Sequence, residues 1–350
     1  MKKLALYIVE DKESFQFRYR VENIIEVLGD GSEWEAKWVF KNQVRDEDLA
    51  KAKIVIVARQ TAKDGIVLGL IRKAQKMGIR VLLDIDDLIF DYRDLRIVFK
   101  SVGEKNWLYW TGYFWGIRRI AKRVDGFICT NEFLGQKLKR SFDKPVRVIP
   151  NSLNQKQVEV SEKCVKNKKW DGFRIGYFSG SPTHVKDFAM VEGELVRFLR
   201  VYDDAKLRVV GHMEFSEEIK KMIESGRVEV LGFVDYLKLQ KLMAEVDVNI
   251  APLVVNDFTN CKSELKFFEA GVVETTTIAS PTYSFARAIE DGKNGFLARP
   301  GEWYDKLEYL YQNPKENRKI ALEAKKYALK HYYGKEFLKE VEEVYDYFAK

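Results

Sequence analysis

Three stretches of the chain combine small, cationic and carboxylate residues at spacings that suit phosphate and sugar chemistry. The first is Ser179-Gly180-Ser181-Pro182-Thr183-His184-Val185-Lys186-Asp187, directly after the apolar run 173–178. Gly180 and Ser181 would let backbone N–H groups approach an oxyanion, a following helix start would offer more of them, and Lys186 adds a mobile positive charge. An ordinary strand-to-helix turn with Asp187 near the helix N-terminus would look the same. The second stretch is Asn260-Cys261-Lys262-Ser263-Glu264-Leu265-Lys266-Phe267-Phe268-Glu269-Ala270-Gly271. A helix predicted to begin near Ser263 would turn its N–H groups toward an anion beside Lys262. Glu269, about 1.5 turns further on, could accept both hydroxyls of a ribose. A solvent-facing glutamate on an amphipathic helix is the plainer alternative.

The third stretch, Ile85-Asp86-Asp87-Leu88, follows the expected strand 80–84. Asp86 could take a proton or hydrogen-bond to a sugar hydroxyl, and either aspartate could simply cap the next segment. Such a pair can also hold Mg²⁺ or Mn²⁺ beside a diphosphate, but no metal is expected here. Near the N-terminus, SFQFRYR (14–20) brings Arg18 and Arg20, whose planar forks suit a diphosphate or an anionic acceptor, as they would a solvated helix start.

These residues need strand ends to present them. The apolar runs 4–9, 54–57, 81–83 and 126–129 alternate with helical periodicity such as 66–77, and the runs 173–178, 206–210, 228–231, 248–251 and 295–298 repeat the rhythm. The expectation is α/β, with two doubly wound Rossmann-like domains and ligands outside the carboxyl ends of the strands. We assign 1–150 to the first domain, 151–171 to a polar linker, and 172–333 to the second domain. Residues 334–350 form a last helix, with Phe337, Val341, Val344 and Phe348 on one face, that packs back on the first domain.

A length of 350 residues favours two cores, and 46% hydrophobic with 32% charged residues is ordinary globular composition. No run reaches the ~20 apolar residues of a membrane span, and the first residues reach charge too early for a secretion signal. A cytoplasmic location is expected, including the inner face of the membrane, since WLYWTGYFWGIRRIAKRV (107–124) mixes aromatic and basic residues as a lipid-surface helix does. A core helix with a basic outer face is the alternative for that segment. Cys129, Cys164 and Cys261 fit neither a disulfide framework nor a CxxC pair. His184, His212 and His331 are scattered, with no HExxH, and no GxSxG elbow or GxxxxGKS/T loop is present. The net charge of +7 suits an anionic partner, although no basic cluster singles out nucleic acid.

GYFSGSPTHVKDF (176–188), LRVVG (207–211), VEVLGFV (228–234), VDVNIAPL (246–253) and KSELKFFEAG (262–271) together resemble, in order, the donor domain of the retaining glycosyltransferases of family 4. That resemblance implies the GT-B arrangement, two Rossmann-like domains facing a cleft. The donor, a UDP- or GDP-sugar, would be held by the second domain and the acceptor, a glycan or lipid-linked glycan of the cell surface, by the first. Transfer would proceed with retention and without a cofactor. The likeness places Gly180, Ser181, His184 and Lys186 at the diphosphate. It puts Asn260, Lys262, Ser263, Glu264 and Leu265 at phosphate and sugar, Phe233 at the nucleobase and Glu269 at the ribose. Asp86 stands where relatives carry an active-site histidine, with Asp87 beside it, and Lys186 and Lys262 would stabilise the departing diphosphate. One departure is plain: Cys261 occupies the first position of the family's Glu-x7-Glu motif and cannot replace a carboxylate toward a sugar. Two other readings stay open, a nucleotide-sugar epimerase of the same fold and a non-catalytic sugar-nucleotide-binding protein.

Overall fold

The computed structural model describes residues 2–29, 31–102, 106–168, 172–179 and 185–350. Its contacts divide the chain into two units, Met1–Asn154 with Asn260–Ser263 and Tyr332–Lys350, and Gln155–Thr259 with Glu264–His331.

The first unit is built on a six-stranded parallel sheet. Its strands are β1 (Lys3–Val9), β2 (Trp34–Phe40), β3 (Ala52–Ala58), β4 (Arg80–Ile85), β5 (Gly126–Cys129) and β6 (Val146–Val148), in the order β2-β1-β3-β4-β5-β6. β1 is buried from Leu4 through Val9, as a strand covered on both faces must be, which is why it reads as an unbroken apolar run. The chain steps outward from β1 to β2 and then returns to β3, so the strand order reverses between β1 and β3.

The second unit carries β7 (Phe173–Phe178), β8 (Ala205–Val210), β9 (Val228–Leu231), β10 (Val248–Ala251), β11 (Thr276–Ala279) and β12 (Phe296–Leu297), all parallel. Their order is β12-β11-β10-β7-β8-β9, with the reversal between β7 and β10. The helix Val185–Val201 lays Phe188, Val191, Leu195 and Phe198 onto Ile175, Tyr177, Leu207 and Val209 of the sheet. Spacings of three and four residues set these side chains on one helical face.

The segment 151–171, expected as a linker, contains the helix Gln155–Lys166, which belongs to the second unit and buries Gln157, Val158 and Ser161. Its single buried stripe is mostly polar, so apolar periodicity does not announce it. The C-terminal helix, Gly334–Ala349, lies in the first unit, where Phe337, Val341, Val344, Tyr345 and Phe348 join β1, β3 and Trp34 in one core. Polar contacts fix its register: the Tyr345 and Tyr7 hydroxyls lie 2.6 Å apart, and Asp346 accepts from Trp34 Nε1 at 3.0 Å and from Lys3 Nζ at 2.7 Å.

Gly126 sets how closely that helix approaches β5, because a Cβ there would stand 2.5 Å from Phe348 Cε1 and 3.0 Å from the Pro145 carbonyl oxygen. Gly126→Val is expected to lower unfolding stability by about 1–3 kcal/mol through overpacking. Urea titration would read this loss, and faster proteolysis of the C-terminal helix would accompany it.

Candidate functional site

In the second unit the polar residues gather at the reversal between β7 and β10, where parallel sheets of this kind receive ligands. Gly211 lets the ends of β7 and β8 meet there: its φ is +108°, and a Cβ would lie 2.2 Å from the Ser179 carbonyl oxygen. Asp187, buried at the start of the helix Val185–Val201, accepts a hydrogen bond from Val254 N at 2.9 Å and so ties down the loop after β10. The short helix Leu265–Gly271 follows that loop. Gly271 allows it to pack against the helix Pro314–His331, since a Cβ would stand 3.0 Å from the Ala324 carbonyl oxygen.

Glu269 is buried on this short helix, with 5% of its surface exposed, which removes the solvent-facing alternative. The fully buried Gln157 donates to Glu269 Oε1 at 3.1 Å and to Gln240 Oε1 at 3.0 Å, and Gln240 donates to the Glu269 carbonyl oxygen at 2.5 Å. A carboxylate inside a protein is tolerated when such donors surround it. One turn earlier, Lys266 sends its Nζ over the Tyr177 ring, 4.8 Å from the centroid. That atom is sealed from solvent with no hydrogen-bond partner among the described residues. Burial pushes the Lys266 ammonium down to about 8 against the opposing pull of Asp187.

The other donor-site expectations fall at several places. Lys186 is exposed in the first turn of its helix, and Phe233, just beyond β9, is 65% exposed. Glu264 is buried at the cap of the short helix, which starts at Leu265, two residues later than the expected Ser263. Gly180, Ser181 and His184 lie outside the described residues.

A second cluster belongs to the first unit. Arg59, directly after β3, donates from Nη1 to Asp86 Oδ1 at 2.9 Å and to Asp87 Oδ2 at 2.8 Å, and from Nε to the Tyr113 hydroxyl at 3.1 Å. Lys262 pairs with Asp87 Oδ1 at 2.5 Å. Asn131 fixes the backbone around Lys262, donating to the carbonyl oxygens of Asn260 at 3.3 Å and Lys262 at 3.1 Å while capping the helix Glu132–Phe142. Cys261 is fully buried between them in sequence, and the Ser263 hydroxyl has no partner among the described residues. Lys262, Ser263 and Asn260 therefore count with the first unit by their contacts, although their neighbours in sequence count with the second.

Of the two arginines expected near a diphosphate, Arg20 is buried and four of its donor bonds are internal. It forms a fork with Asp84 at 2.9 and 2.8 Å and reaches Ile149 O at 2.6 Å and Asn151 Oδ1 at 3.2 Å. Arg18 lies over the Tyr19 ring, 4.0 Å from its centroid. Beside them a cavity of about 280 Å³ opens at the β1/β3 reversal, lined among others by Glu10, Asp11, Gln60 and Tyr113. Among the described residues no three His, Cys, Asp or Glu side chains gather as a metal site would require.

Sequence reasoning missed Arg59, Gln157, Gln240 and Lys266. Arg59 was signalled by its place after an apolar run, as Asp86 was, and Lys266 by a charge set between Leu265 and Phe267-Phe268. The glutamines carried no signal. Burial works against the Asp87 carboxylate, but Lys262 and Arg59 outweigh it and hold its pKa below the ordinary range. The stability this adds is complete above the unfolded value of about 3.9 and is lost as pH falls through the lowered one. Asp87→Asn is therefore expected to cost about 1–3 kcal/mol at neutral pH. In denaturant titrations the gap from wild type should close as the medium is acidified below that value.

No curated protein sequence matches the chain. Among solved structures, it is similar to Anabaena HepE in complex with UDP and glucose, at 14% identity and a TM-score of 0.63, over 99% of each chain. Sucrose-phosphate synthase from Thermosynechococcus elongatus gives 14% identity and a TM-score of 0.66, also over 99% of each chain. TarM gives 16% identity and a TM-score of 0.60 over 86% of this chain and 55% of its own. The two parallel six-stranded sheets are those of the GT-B glycosyltransferase fold, and residues 174–313 match the family model described as Glycosyl transferases group 1.

Proposed function

We propose that the chain is a glycosyltransferase that moves a sugar from a UDP- or GDP-sugar to a glycan or lipid-linked glycan acceptor, with retention and without a metal. The observation that carries this reading is Glu269, held inside the second unit by Gln157 and Gln240. A carboxylate fixed in this way suits the paired hydroxyls of a ribose. The match of residues 174–313 to a glycosyltransferase family model supports the same reading, as do neighbours solved with UDP.

In this reading the second unit holds the nucleotide, with Glu269 on the ribose, Phe233 on the base and Lys186 on the diphosphate, whose developing charge it would stabilise on departure. Gly180, Ser181 and His184 would complete the phosphate side, and Asn260, Lys262, Ser263, Glu264 and Leu265 the sugar side. The first unit would receive the acceptor near Asp86, Asp87 and Arg18. Asp86 would accept the acceptor's proton or hold a sugar hydroxyl, with Arg59 orienting it through their 2.9 Å bond.

The helix Trp107–Ala121 supports contact with a lipid surface. It turns Phe114, Ile117 and Ile120 inward while Trp107, Leu108, Tyr109 and Trp115 stand 49–65% exposed, with Arg119 stacked on the Trp115 ring at 4.4 Å. Exposed aromatics beside cations are the pattern of an interfacial helix. Among the described residues no helix is long and apolar enough to cross a membrane.

Thermal-shift titration with UDP- and GDP-sugars, in EDTA and in Mg²⁺, should show metal-independent stabilisation by one nucleotide class. Glu269→Gln should lose it by roughly tenfold or more in affinity while still unfolding cooperatively. Stabilisation by neither class, or equal affinity in the variant, would refute the donor assignment. Product analysis with that donor separates transfer from epimerisation, which releases no nucleotide. Trp107→Ser with Leu108→Ser should abolish sedimentation with anionic vesicles at low salt and leave nucleotide affinity unchanged; wild type that stays in the supernatant would reject the lipid contact.

A further inference from the structure

Lys266 is held differently from Lys144 and Lys168. Lys144 donates to the carbonyl oxygens of Ala121, Lys122 and Val124 at 2.6–3.2 Å, and Lys168 reaches Glu274 O at 2.6 Å and Thr275 Oγ1 at 2.9 Å. An ammonium has three donors, and a buried one without acceptors is costly. Lys266 Nζ is sealed from solvent yet has no acceptor among the described residues; it has only the face of the Tyr177 ring and the field of Asp187. Asp187 accepts from Val254 N through its Oδ1.

Its position gives that cost a purpose. Lys266 and Glu269 are three residues apart on one helix, hence on one face and about 4.5 Å apart along the axis. Tyr177 is next to the end of β7, and Asn249 of β10 donates to the Lys266 carbonyl oxygen at 2.9 Å, so the lysine sits at the β7/β10 reversal. We propose that Lys266 Nζ is a binding contact for a phosphoryl oxygen of the nucleoside diphosphate bound by the second unit, an inference that rests on the nucleotide-binding reading above. The anion supplies the acceptor that the described residues do not, one helical turn from the ribose contact. The pair divides the ligand by chemistry, with the carboxylate on the hydroxyls and the ammonium on the phosphate.

The test compares wild type with Lys266→Met by calorimetric titration of UDP, GDP, uridine and guanosine, with the ligand-free Tm measured alongside. The expected result is a loss of roughly 10- to 100-fold in affinity for the diphosphate, an affinity for the matching nucleoside within about twofold of wild type, and a ligand-free Tm unchanged or raised. A lysine that only supports packing would lower Tm and weaken nucleoside and diphosphate alike, which would overturn the assignment. Equal diphosphate affinity in wild type and a folded variant would overturn it while leaving the nucleotide reading intact. Wild type that binds none of the four ligands would overturn both. Lys266→Gln gives the same comparison should the methionine variant not fold.

Discussion

A parallel sheet covered by helices on both faces leaves almost no room for polar side chains along its strands, so charge is driven to the strand ends. Several charged groups of both units are placed this way. Arg59 follows β3, Asp86 and Asp87 follow β4, and Asp187 and Lys266 sit at the β7/β10 reversal. Strand order then decides which ends are open, because connections leaving in opposite directions part only where the order reverses. In the second unit that point holds Lys266, three residues before Glu269 on one helix. In the first it holds the cavity bordered by Glu10, Gln60 and Tyr113.

Asp84 is a buried carboxylate inside β4. Arg20 answers it with a two-pronged pair and carries the same guanidinium to Ile149 O and Asn151 Oδ1, so one side chain links the segment Arg18–Glu22, the middle of the sheet and the chain beyond β6. Breaking a buried pair of this kind typically costs about 3–5 kcal/mol, because the survivor is left charged and unsolvated. Arg20 and Lys266 are thus opposite cases. One is a buried cation whose donors are used by the fold, and the other a buried cation whose donors find no acceptor among the described residues.

Polar residues in the core of the second unit follow the same accounting. Gln157 comes from a helix in a segment that reads as a linker, and it lies against Gln240 and Glu269 from two other helices. The helix Gln155–Lys166 therefore completes the environment of a carboxylate more than a hundred residues away in sequence. In the first unit Asn131 does similar work, capping its own helix and gripping the backbone at Asn260 and Lys262.

The sequence by itself determined the two α/β halves, most of their strands, the amphipathic C-terminal helix and the positions after strands where charge collects. These rest on local periodicity and on turn chemistry, which neighbours in sequence carry. It did not announce β2, β6 or β11: β2 alternates charged and aromatic residues at a sheet edge, β6 is three residues long, and β11 is threonine-rich. Only the tertiary structure decided that Arg20 serves Asp84, that Lys262 answers Asp87, that Glu269 is inside, and that Lys266 is enclosed without an acceptor among the described residues. Whether a charged side chain meets water, an opposite charge or an empty place depends on groups brought from distant parts of the chain, and that pairing has no period a sequence can display.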